Sequence, residues 1–239
     1  MRQGRLIAVA GNIGVGKSTL ASGLAQALGA GLILEEYDEN PFLPAMLGGQ
    51  AQAALPCELD FLLGRARQLC PTNLTKHALY VADYVFEKNR LFAQRNLGSQ
   101  EWAVFERIER QVAGLIERPG VVVYLEDTPE RCLERIRRRG RPYEQKITAR
   151  YLAWLAQGYD GLFAQWDQCP VVRVNAEAQD VRQAAVVDRI ARQTKAMLVA
   201  KTQETAGTRR PEDHGGGYTE GDGGPKGGIS ALWKAGGGR

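Results

Sequence analysis

The sequence predicts an α/β protein of three layers, with helices on both faces of a five-stranded parallel sheet. Three observations predict this fold class. Five apolar runs of strand length alternate with helix-length amphipathic segments. A glycine-rich loop over residues 11–19 joins the first run to the first helix, and turn residues such as Pro119-Gly120 separate the later units. Because parallel strands need helical crossovers, this alternation indicates a parallel sheet.

The composition is that of a globular protein, and it narrows the possible functions. The 239 residues are 44% hydrophobic and 24% charged, with a formal net charge of +4, which is ordinary for one sizeable domain. This charge is too small to indicate nucleic-acid binding by itself. No apolar run has the length of a membrane helix, and no signal peptide precedes the first strand. We therefore expect a cytoplasmic protein with no membrane partner and no nucleic-acid partner.

Cysteine and histidine are scarce in this chain. Cys57, Cys70, Cys132 and Cys169 lie far apart without paired spacing, and there are only two histidines, so no metal-ligand cluster is predicted. A reducing compartment is the simplest setting for such cysteines. With so little histidine, a carboxylate is the expected general base.

The first strand, predicted over 6–10, runs into a loop that matches the Walker A pattern G-x-x-x-x-G-K-[ST]. Its glycines let consecutive N–H groups turn toward an anion, and the helix predicted over 17–28 adds the positive end of its dipole. Lys17 can reach the β- and γ-phosphates, and Ser18 can ligate Mg²⁺. A glycine-rich turn without a ligand is the alternative, which a full match after a strand disfavours. The residues predicted to bind ATP with Mg²⁺ are Gly11, Asn12, Ile13, Gly14, Val15, Gly16, Lys17, Ser18 and Thr19.

The second strand, predicted over 31–34, runs directly into an acidic segment over 35–39. Ligands of open α/β sheets bind at the carboxyl ends of the strands, where this segment lies. A solvated acidic turn is the alternative, and position alone does not decide between the two. The next helix, predicted over 55–69, places Glu58 and Arg65 on one face two turns apart, where they either face a ligand or form an exposed polar face.

The third strand, over 78–83, ends in Asp83. This is the Walker B pattern, in which a carboxylate lies near Mg²⁺ beside the phosphate loop. The chain over 85–105 is helical in character, with a break near 96–98. A further helix is predicted over 100–117, and the helical spacing of its aromatic residues indicates core packing rather than a cofactor site.

The fourth strand, over 121–125, precedes a helix that begins with a capping threonine and a proline at 128–129. This helix runs into an arginine-rich segment over 135–141 that contains a hinge-like break at Gly140. An arginine run is usually a solvated face or an RNA-binding patch. Inside a nucleotide-binding fold, a lid that closes over phosphates fits better, because guanidinium groups match phosphate oxygens.

A helix over 151–163, a fifth strand over 170–174 and a closing helix over 179–198 complete the predicted domain, residues 1–202. Residues 203–239 are rich in glycine and poor in large apolar side chains. Such a segment cannot bury enough surface to order itself. We predict a disordered tail to which no chemistry is assigned.

Several separated motifs occur in a fixed order along the chain, and together they are specific. They are Gly-Asn-Ile-Gly-Val-Gly-Lys-Ser-Thr at 11–19, Glu-Glu-Tyr-Asp-Glu-Asn-Pro-Phe-Leu at 35–43, Phe-Leu-Leu-Gly-Arg at 61–65, Asp-Tyr-Val-Phe-Glu-Lys-Asn-Arg-Leu-Phe-Ala at 83–93 and Arg-Ile-Arg-Arg-Arg-Gly-Arg-Pro-Tyr-Glu at 135–144. Over about residues 5–195 the chain resembles the deoxynucleoside kinase family, in particular its bacterial deoxyadenosine and deoxyguanosine kinase branch. The resemblance implies a P-loop kinase fold, ATP-dependent phosphorylation of the 5′-hydroxyl of a deoxynucleoside, and a homodimer.

The resemblance also implies a role for each matching residue. Glu35 matches the carboxylate that accepts the proton of the sugar 5′-hydroxyl, and Glu144 matches an acid that contacts the 3′-hydroxyl. The implied catalytic residues are Glu35, Lys17, Arg139 and Arg141, and the implied lid contacts to ATP are Arg135 and Arg139. The implied acceptor-binding residues are Glu35, Tyr37, Glu58, Arg65, Asp83, Lys88, Phe92 and Glu144. The implied Mg²⁺ ligands are Ser18 and Asp83.

Two positions depart from the family pattern. The family usually has an arginine directly after the strand-end acid, where this chain has Tyr84, so the lid arginines, Lys88 or Arg90 must supply that charge.

The second departure is Glu58, where glutamine is common. An ionised carboxylate only accepts hydrogen bonds, which suits the two adjacent donors of guanine and not the edge of adenine. We therefore predict a preference for deoxyguanosine, the alternative being that Arg65 neutralises Glu58 and no base is read.

Three alternatives stay open, namely a rival kinase, a non-catalytic switch and a nucleic-acid-binding protein. A nucleoside monophosphate kinase of the thymidylate kinase type shares a similar fold, but it needs positive charge around its acceptor phosphate, where Glu35 and Glu36 are acidic. A non-catalytic NTP-binding switch, with the tail as its partner arm, would hydrolyse ATP slowly whether or not a nucleoside is present. Nucleic-acid binding through the arginine run would show a steep salt dependence.

Overall fold

The computed structural model describes residues 5–207. Five strands and eight helices alternate along this part of the chain. In order they are β1 (Leu6–Gly11), α1 (Lys17–Leu28), β2 (Gly31–Ile33), α2 (Leu43–Leu47), α3 (Ala54–Leu69), β3 (Tyr80–Ala82), α4 (Lys88–Asn96), α5 (Ser99–Val112), β4 (Val121–Glu126), α6 (Pro129–Arg139), α7 (Ala149–Ala164), β5 (Val171–Asn175) and α8 (Ala184–Gly207). Two 3₁₀ turns lie at Ala51–Ala53 and Pro142–Glu144.

The strands form one parallel sheet in the order β2-β3-β1-β4-β5. β1 is central, pairing with β3 from Leu6 to Ala8 and with β4 from Ile7 to Gly11. A central parallel strand is covered on both faces, and all of its residues are buried. The predicted five-stranded parallel α/β fold is confirmed.

Alternate residues of β1 enter cores on opposite faces of the sheet. Ile7 and Val9 pack with Leu20 and Leu24 of α1 and with Ile190 of α8. On the other face, Leu6 joins a core that contains side chains of α3 and α5, while a neighbouring core joins Ala8 and Ala10 to α7. Helix, sheet and helix are the three layers that the sequence predicts. The aromatic side chains of α5 lie within or against the second of these cores, as predicted.

Two helix boundaries near the middle of the chain differ from the prediction. α4 begins at Lys88, because Val85 and Phe86 occupy the turn after β3, where they are 1% and 4% exposed and belong to the core. The prediction of a helix from residue 85 relied on apolar residues that in fact form a buried turn. α5 ends at Val112 instead of residue 117, because the Glu117 N–H donates to the Leu69 carbonyl at 2.8 Å and draws the chain to the end of α3.

Other differences lie outside the sheet. The sequence analysis did not predict α2, which begins one residue before Pro44 and is only five residues long. α8 begins at Ala184 and continues through Gly207, past the predicted domain end at residue 202. The rest of the predicted tail, 208–239, lies outside the described residues. Within residues 5–207, no helix has the length and apolar character needed to cross a bilayer.

Candidate active site

One cavity of about 710 Å³ lies at the carboxyl ends of β1, β2 and β3. The phosphate loop, the segment after β2, helices α3 and α4, and the segment after α6 line it. Among its lining residues are most of the predicted site residues, namely Ile13, Gly14, Gly16, Lys17, Ser18, Thr19, Glu35, Tyr37, Glu58, Arg65, Asp83, Lys88, Phe92, Arg135, Arg139, Arg141 and Glu144. Motifs separated by more than a hundred residues along the chain therefore meet around one space.

The phosphate loop can have its shape only because glycine occupies its tight points. Gly11 and Gly14 have φ of 140° and 78°, in the left-handed region that other residues avoid. A Cβ on Gly11 would lie 2.5 Å from the Leu125 carbonyl oxygen, and one on Gly14 would lie 2.6 Å from the Cys132 carbonyl oxygen. The loop is thus packed directly against the end of β4 and against α6.

Asn12 anchors this loop instead of facing the cavity with its side chain. Its Nδ2 donates to the Leu152 carbonyl of α7 at 2.8 Å, and its Oδ1 accepts from the Ile13 N–H at 2.9 Å. Val15 is 2% exposed and belongs to the core. Asn12, Val15 and Gly11 are not among the cavity-lining residues. Their predicted contact with ATP is therefore restricted to backbone groups of the loop.

The two predicted magnesium ligands lie side by side. Ser18 Oγ donates to Asp83 Oδ2 at 2.5 Å, and the Glu35 N–H donates to Asp83 Oδ1 at 2.9 Å. Within the described part of the chain, no group of three or more His, Cys, Asp or Glu side chains could hold a metal ion alone. One hydroxyl and one carboxylate fit Mg²⁺, which usually takes one or two protein ligands together with substrate phosphates.

Glu35 is the centre of a buried charge network. It is bound by Lys88, whose Nζ lies 2.7 and 2.8 Å from its two carboxylate oxygens, and by Arg65, whose Nε lies 2.8 Å from Oε1. Burial alone would raise the pKa of Glu35, but the charges of Arg65 and Lys88 outweigh it and hold that pKa well below its ordinary value. Burial is also the main influence on Lys88, whose pKa is lowered to about 8.

Tyr84, which replaces the family's usual arginine, and Arg90, a candidate to supply its charge, both make contacts away from the cavity. Tyr84 is 1% exposed, and its hydroxyl donates to Gln68 Oε1 at 2.6 Å, which fastens β3 to α3. Arg90 pairs with Glu106 and Glu109 of α5, each at 2.7 Å, and is not among the cavity-lining residues. Of the alternative sources of charge, which are the lid arginines, Lys88 and Arg90, the geometry therefore does not favour Arg90.

Glu58 lies at another part of the cavity, 2% exposed. Asn96 Nδ2 donates to its Oε1 at 2.6 Å. Arg65 is engaged instead by Glu35 and by Asn89 Oδ1. Burial raises the pKa of Glu58, and the hydrogen bond from Asn96 and the charge of Arg65 oppose this rise. The alternative of a direct Arg65–Glu58 pair does not match this geometry.

The predicted lid follows α6. Arg135 of α6 donates to the Gly14 carbonyl at 3.3 Å and pairs with the buried Asp127. The helix ends at Gly140, with φ of 71°, and the chain turns back so that Arg139 donates to Glu144 Oε2 and Oε1 at 3.1 and 2.6 Å. Guanidinium groups are thereby placed next to the phosphate loop.

Several cavity residues were missed by the sequence analysis. Arg95 and Asn96 follow Phe92 at three and four residues along α4, so they share its helical face and helical spacing could have found them. Asn89 was also missed; it is fully buried behind the cavity lining, where its Nδ2 donates to the Phe86 carbonyl at 2.7 Å and its Oδ1 accepts from Arg65. Tyr151 reaches the cavity from α7, and no sequence signal indicated it.

Fold and cavity together define a nucleotide-binding phosphotransferase of the P-loop class, in which an arginine-bearing segment faces the loop and a buried carboxylate lies beside it. The family model described as deoxynucleoside kinase matches residues 7–199. The chain belongs to the deoxynucleoside kinase family, and its reaction is the phosphorylation of deoxynucleosides.

Individual relatives agree with this assignment. The chain is 31% identical to deoxyguanosine kinase of Bacillus subtilis (strain 168) over 207 residues, which are 83% of this chain and 100% of that protein. It is 28% identical to deoxyadenosine/deoxycytidine kinase of the same organism over 184 residues, 74% of this chain and 84% of that protein. Among solved structures, deoxyadenosine kinase from M. mycoides with products dCMP and a flexible dCDP bound matches with a TM-score of 0.69 at 22% identity, covering 80% of this chain and 99% of that one.

Proposed function

We propose that this kinase transfers the γ-phosphate of ATP, bound with Mg²⁺, to the 5′-hydroxyl of a deoxynucleoside, with deoxyguanosine as the preferred acceptor. One observation carries the proposal. The backbone N–H of Glu35 donates to Asp83, which also accepts from Ser18 of the phosphate loop. The Asp83 carboxylate thus contacts both Ser18, the other candidate Mg²⁺ ligand, and Glu35, the candidate base for the acceptor hydroxyl. The proposed donor and acceptor sites therefore adjoin.

On the donor side, the loop N–H groups and Lys17 bind the phosphates, and Ser18 and Asp83 would hold the Mg²⁺. Bound Mg²⁺ neutralises phosphate charge. Arg139 and Arg141 exchange their contact with Glu144 for the oxygens of the transferring group, which matches their guanidinium geometry. Arg135 stays tied to Asp127 and the Gly14 carbonyl, so it fixes the lid helix against the loop.

On the acceptor side, Glu35 orients the 5′-hydroxyl and takes its proton. The 5′-oxygen forms a bond to the γ-phosphorus, the bond from that phosphorus to the bridging oxygen breaks, and ADP leaves with the electron pair. Because Lys88 and Arg65 keep Glu35 ionised, the carboxylate is available but weakly basic. A weak base suffices where catalysis depends on positioning and charge, as it does in phosphoryl transfer.

Glu58 supports deoxyguanosine as the acceptor. An ionised carboxylate can accept from N1–H and the 2-amino group of guanine side by side, whereas adenine N1 would put two acceptors together. Such a mismatch costs about 1–3 kcal/mol when buried, and Glu58 is 2% exposed. A relative that aligns over its full length, in Bacillus subtilis, is a deoxyguanosine kinase.

The test is ATP consumption with Mg²⁺ against the four deoxynucleosides and the matching monophosphates, with Glu35→Ala and Glu35→Gln alongside. We expect turnover that depends on the nucleoside, is highest with deoxyguanosine, and falls by about 100-fold or more in both variants. Turnover only with monophosphates would transfer the assignment to the thymidylate kinase type. Hydrolysis with no acceptor dependence would support the switch module.

The base preference has its own test in Glu58→Gln. Glutamine presents one donor and one acceptor, which suits adenine. We expect the ratio of kcat/KM for deoxyguanosine over deoxyadenosine to fall by about 10-fold or more. An unchanged ratio would contradict the proposed role of Glu58 and leave the kinase assignment intact.

Two further properties belong to this proposal. A reducing, cytoplasmic location is supported by the free thiols of Cys57, Cys70 and Cys132. The homodimer implied by the family resemblance stays a prediction, which light scattering of the purified chain measures directly.

A further inference from the structure

Asn96 is the last residue of α4, and it contacts Glu58 of α3 across the cavity wall. Its Nδ2 donates to Glu58 Oε1 at 2.6 Å. Both residues line the cavity, and Glu58 is 2% exposed. Glu58 Oε1 therefore already accepts one hydrogen bond from the protein, and the carboxylate lies at the wall of the cavity.

An amide side chain carries a donor and an acceptor, whereas a carboxylate changes what it offers with its charge. Ionised Glu58 accepts from the Asn96 amide N–H and presents only acceptors to a ligand. Protonated Glu58 presents one donor and one acceptor, as glutamine does. The charge state of Glu58 therefore decides which purine edge matches the cavity wall.

We propose that Asn96 is a specificity-determining positioning residue, whose amide N–H holds Glu58 as an ionised acceptor and so selects a purine with two adjacent donors over adenine. This inference rests on the proposed reading of the nucleobase by Glu58. Asn96 acts through Glu58 and contributes no step of phosphoryl transfer.

Several charged or titratable groups face Glu58, and some of them favour its ionised form while others disfavour it. Burial disfavours its ionised form most strongly, and the Asn96 hydrogen bond is the largest influence that opposes burial. Arg65 and Lys88 act in the same direction as Asn96, while Glu35 acts against it. Cys57 beside it and Tyr151 of α7 also interact with the Glu58 charge. Removing Asn96 therefore removes the neutral group that most favours the acceptor form.

The test substitutes Asn96→Leu, which keeps a side chain of similar size and removes the donor. Because burial raises the pKa of Glu58 above its ordinary 4.5, we would measure kcat/KM for deoxyguanosine and deoxyadenosine from that pH upward, as far as the protein stays folded. In the unmodified protein the ratio rises with pH as Glu58 loses its proton. In the variant the midpoint of this rise moves to higher pH, and at pH values between the two midpoints the ratio falls by about 10-fold.

Two controls separate this inference from the proposal beneath it. In Glu58→Gln, residue 58 does not titrate, so the ratio loses its pH dependence, and adding Asn96→Leu shifts it no further. If Glu58→Gln leaves the ratio unchanged, the guanine-reading proposal fails and this inference fails with it. If Glu58→Gln changes the ratio while Asn96→Leu leaves both ratio and midpoint in place, only the role of Asn96 is overturned. The role of Asn96 is also overturned if Asn96→Leu lowers kcat/KM equally for both nucleosides and leaves the midpoint of the pH dependence in place. A merely structural role would produce that result.

Discussion

Lys88 carries an ammonium group into the interior, where its Nζ lies 2.7 and 2.8 Å from the carboxylate oxygens of Glu35. It also lies 5.5 and 5.2 Å from the ring centroids of Tyr37 and Phe92, a distance at which aromatic faces attract cations. With Tyr84 in the place of the family's usual arginine and Arg90 directed elsewhere, Lys88 is the cation of α4 that faces Glu35. We therefore propose that Lys88 supplies the charge that an arginine at position 84 would supply.

Two substitutions of Lys88 separate the effect of its charge on catalysis from the effect of its packing. We expect Lys88→Met to lower kcat by about 100-fold, the usual loss when one preorganised group near the transferring charge is removed. Lys88→Arg keeps a charge that does not titrate in this range, so it retains more activity than the methionine variant. Steady-state kinetics with deoxyguanosine measure both, and equal activity of Lys88→Met and the unmodified enzyme would contradict this role.

The lowered pKa of Lys88 predicts opposite pH effects on activity and on stability. In the folded protein this pKa is about 8, against an ordinary 10.5. As pH rises through the lower value the folded enzyme loses the charge, so activity falls, and Lys88→Arg moves this fall to higher pH. Between the two values only the unfolded chain still binds the proton, so the contribution of Lys88 to the free energy of unfolding rises with pH. Urea unfolding of the unmodified protein and Lys88→Met across this window measures the difference, and a contribution that falls instead would contradict the shift.

At the scale of elements, the phosphate loop and α6 work as one packed unit. Gly14 lies so close to α6 that an added Cβ would approach the Cys132 carbonyl oxygen at 2.6 Å and Ile136 Cγ1 at 2.8 Å. Arg135 of the same helix donates to the Gly14 carbonyl. A displacement of either element would therefore change the position of the other, and with it the spacing of the lid arginines from the donor phosphates.

Gly14→Ala tests this coupling. The substitution adds a clash and places a non-glycine residue at φ of 78°, a strain of about 1–3 kcal/mol. We expect a lower Tm and a large loss of ATP affinity, measured by thermal unfolding and calorimetric titration. Gly161→Ala in α7 is the matched control, since a Cβ there meets nothing within 4 Å, and we expect it to stabilise by about 0.5–1 kcal/mol. Unaltered ATP binding in Gly14→Ala would contradict the coupling.

The parts of the site that depend on neighbouring residues in the sequence could be predicted, and the parts that depend on distant residues could not. The loop, the acid after β2 and Asp83 follow apolar strands directly, and parallel strands bring their carboxyl ends together, so their meeting was predictable. Lys88 and Arg90 are two residues apart on one helix, and the distant acids Glu35 and Glu109 decide which of them enters the cavity.

The same reasoning explains the other misses. The side chain of Asn12 is directed by a carbonyl of α7, 140 residues away. Asn96 was missed because its importance depends on Glu58, on another helix. Partners that lie far along the chain leave no periodic signal near the residue they orient.

For the whole molecule, the residues that line the cavity run from Ile13 to Tyr151, while the C-terminal helix serves as support. α8 packs on α1, the helix that begins at Lys17 of the phosphate loop. Val187 lies 3.1 Å from the position of a Cβ on Gly23, and Ile190 is fully buried with Leu20 and Leu24. We therefore expect the chain through α8 to be needed to hold the loop, although none of the α8 side chains that the structure describes lines the cavity.

Two truncations test this division of the chain. Removing 208–239, to which no chemistry is assigned, should leave Tm and kcat/KM for deoxyguanosine unchanged. Removing 184–239 takes away α8, whose buried side chains Val187, Ile190 and Leu198 contribute about 1.5–3 kcal/mol each. That sum is a large share of the about 5–15 kcal/mol that stabilises a typical domain, so we expect an unfolded or insoluble chain. Thermal unfolding and activity of both products decide the matter. Loss of activity in the shorter truncation would assign the last segment a part in the reaction, and a folded, active product without α8 would contradict its role as support for the phosphate loop.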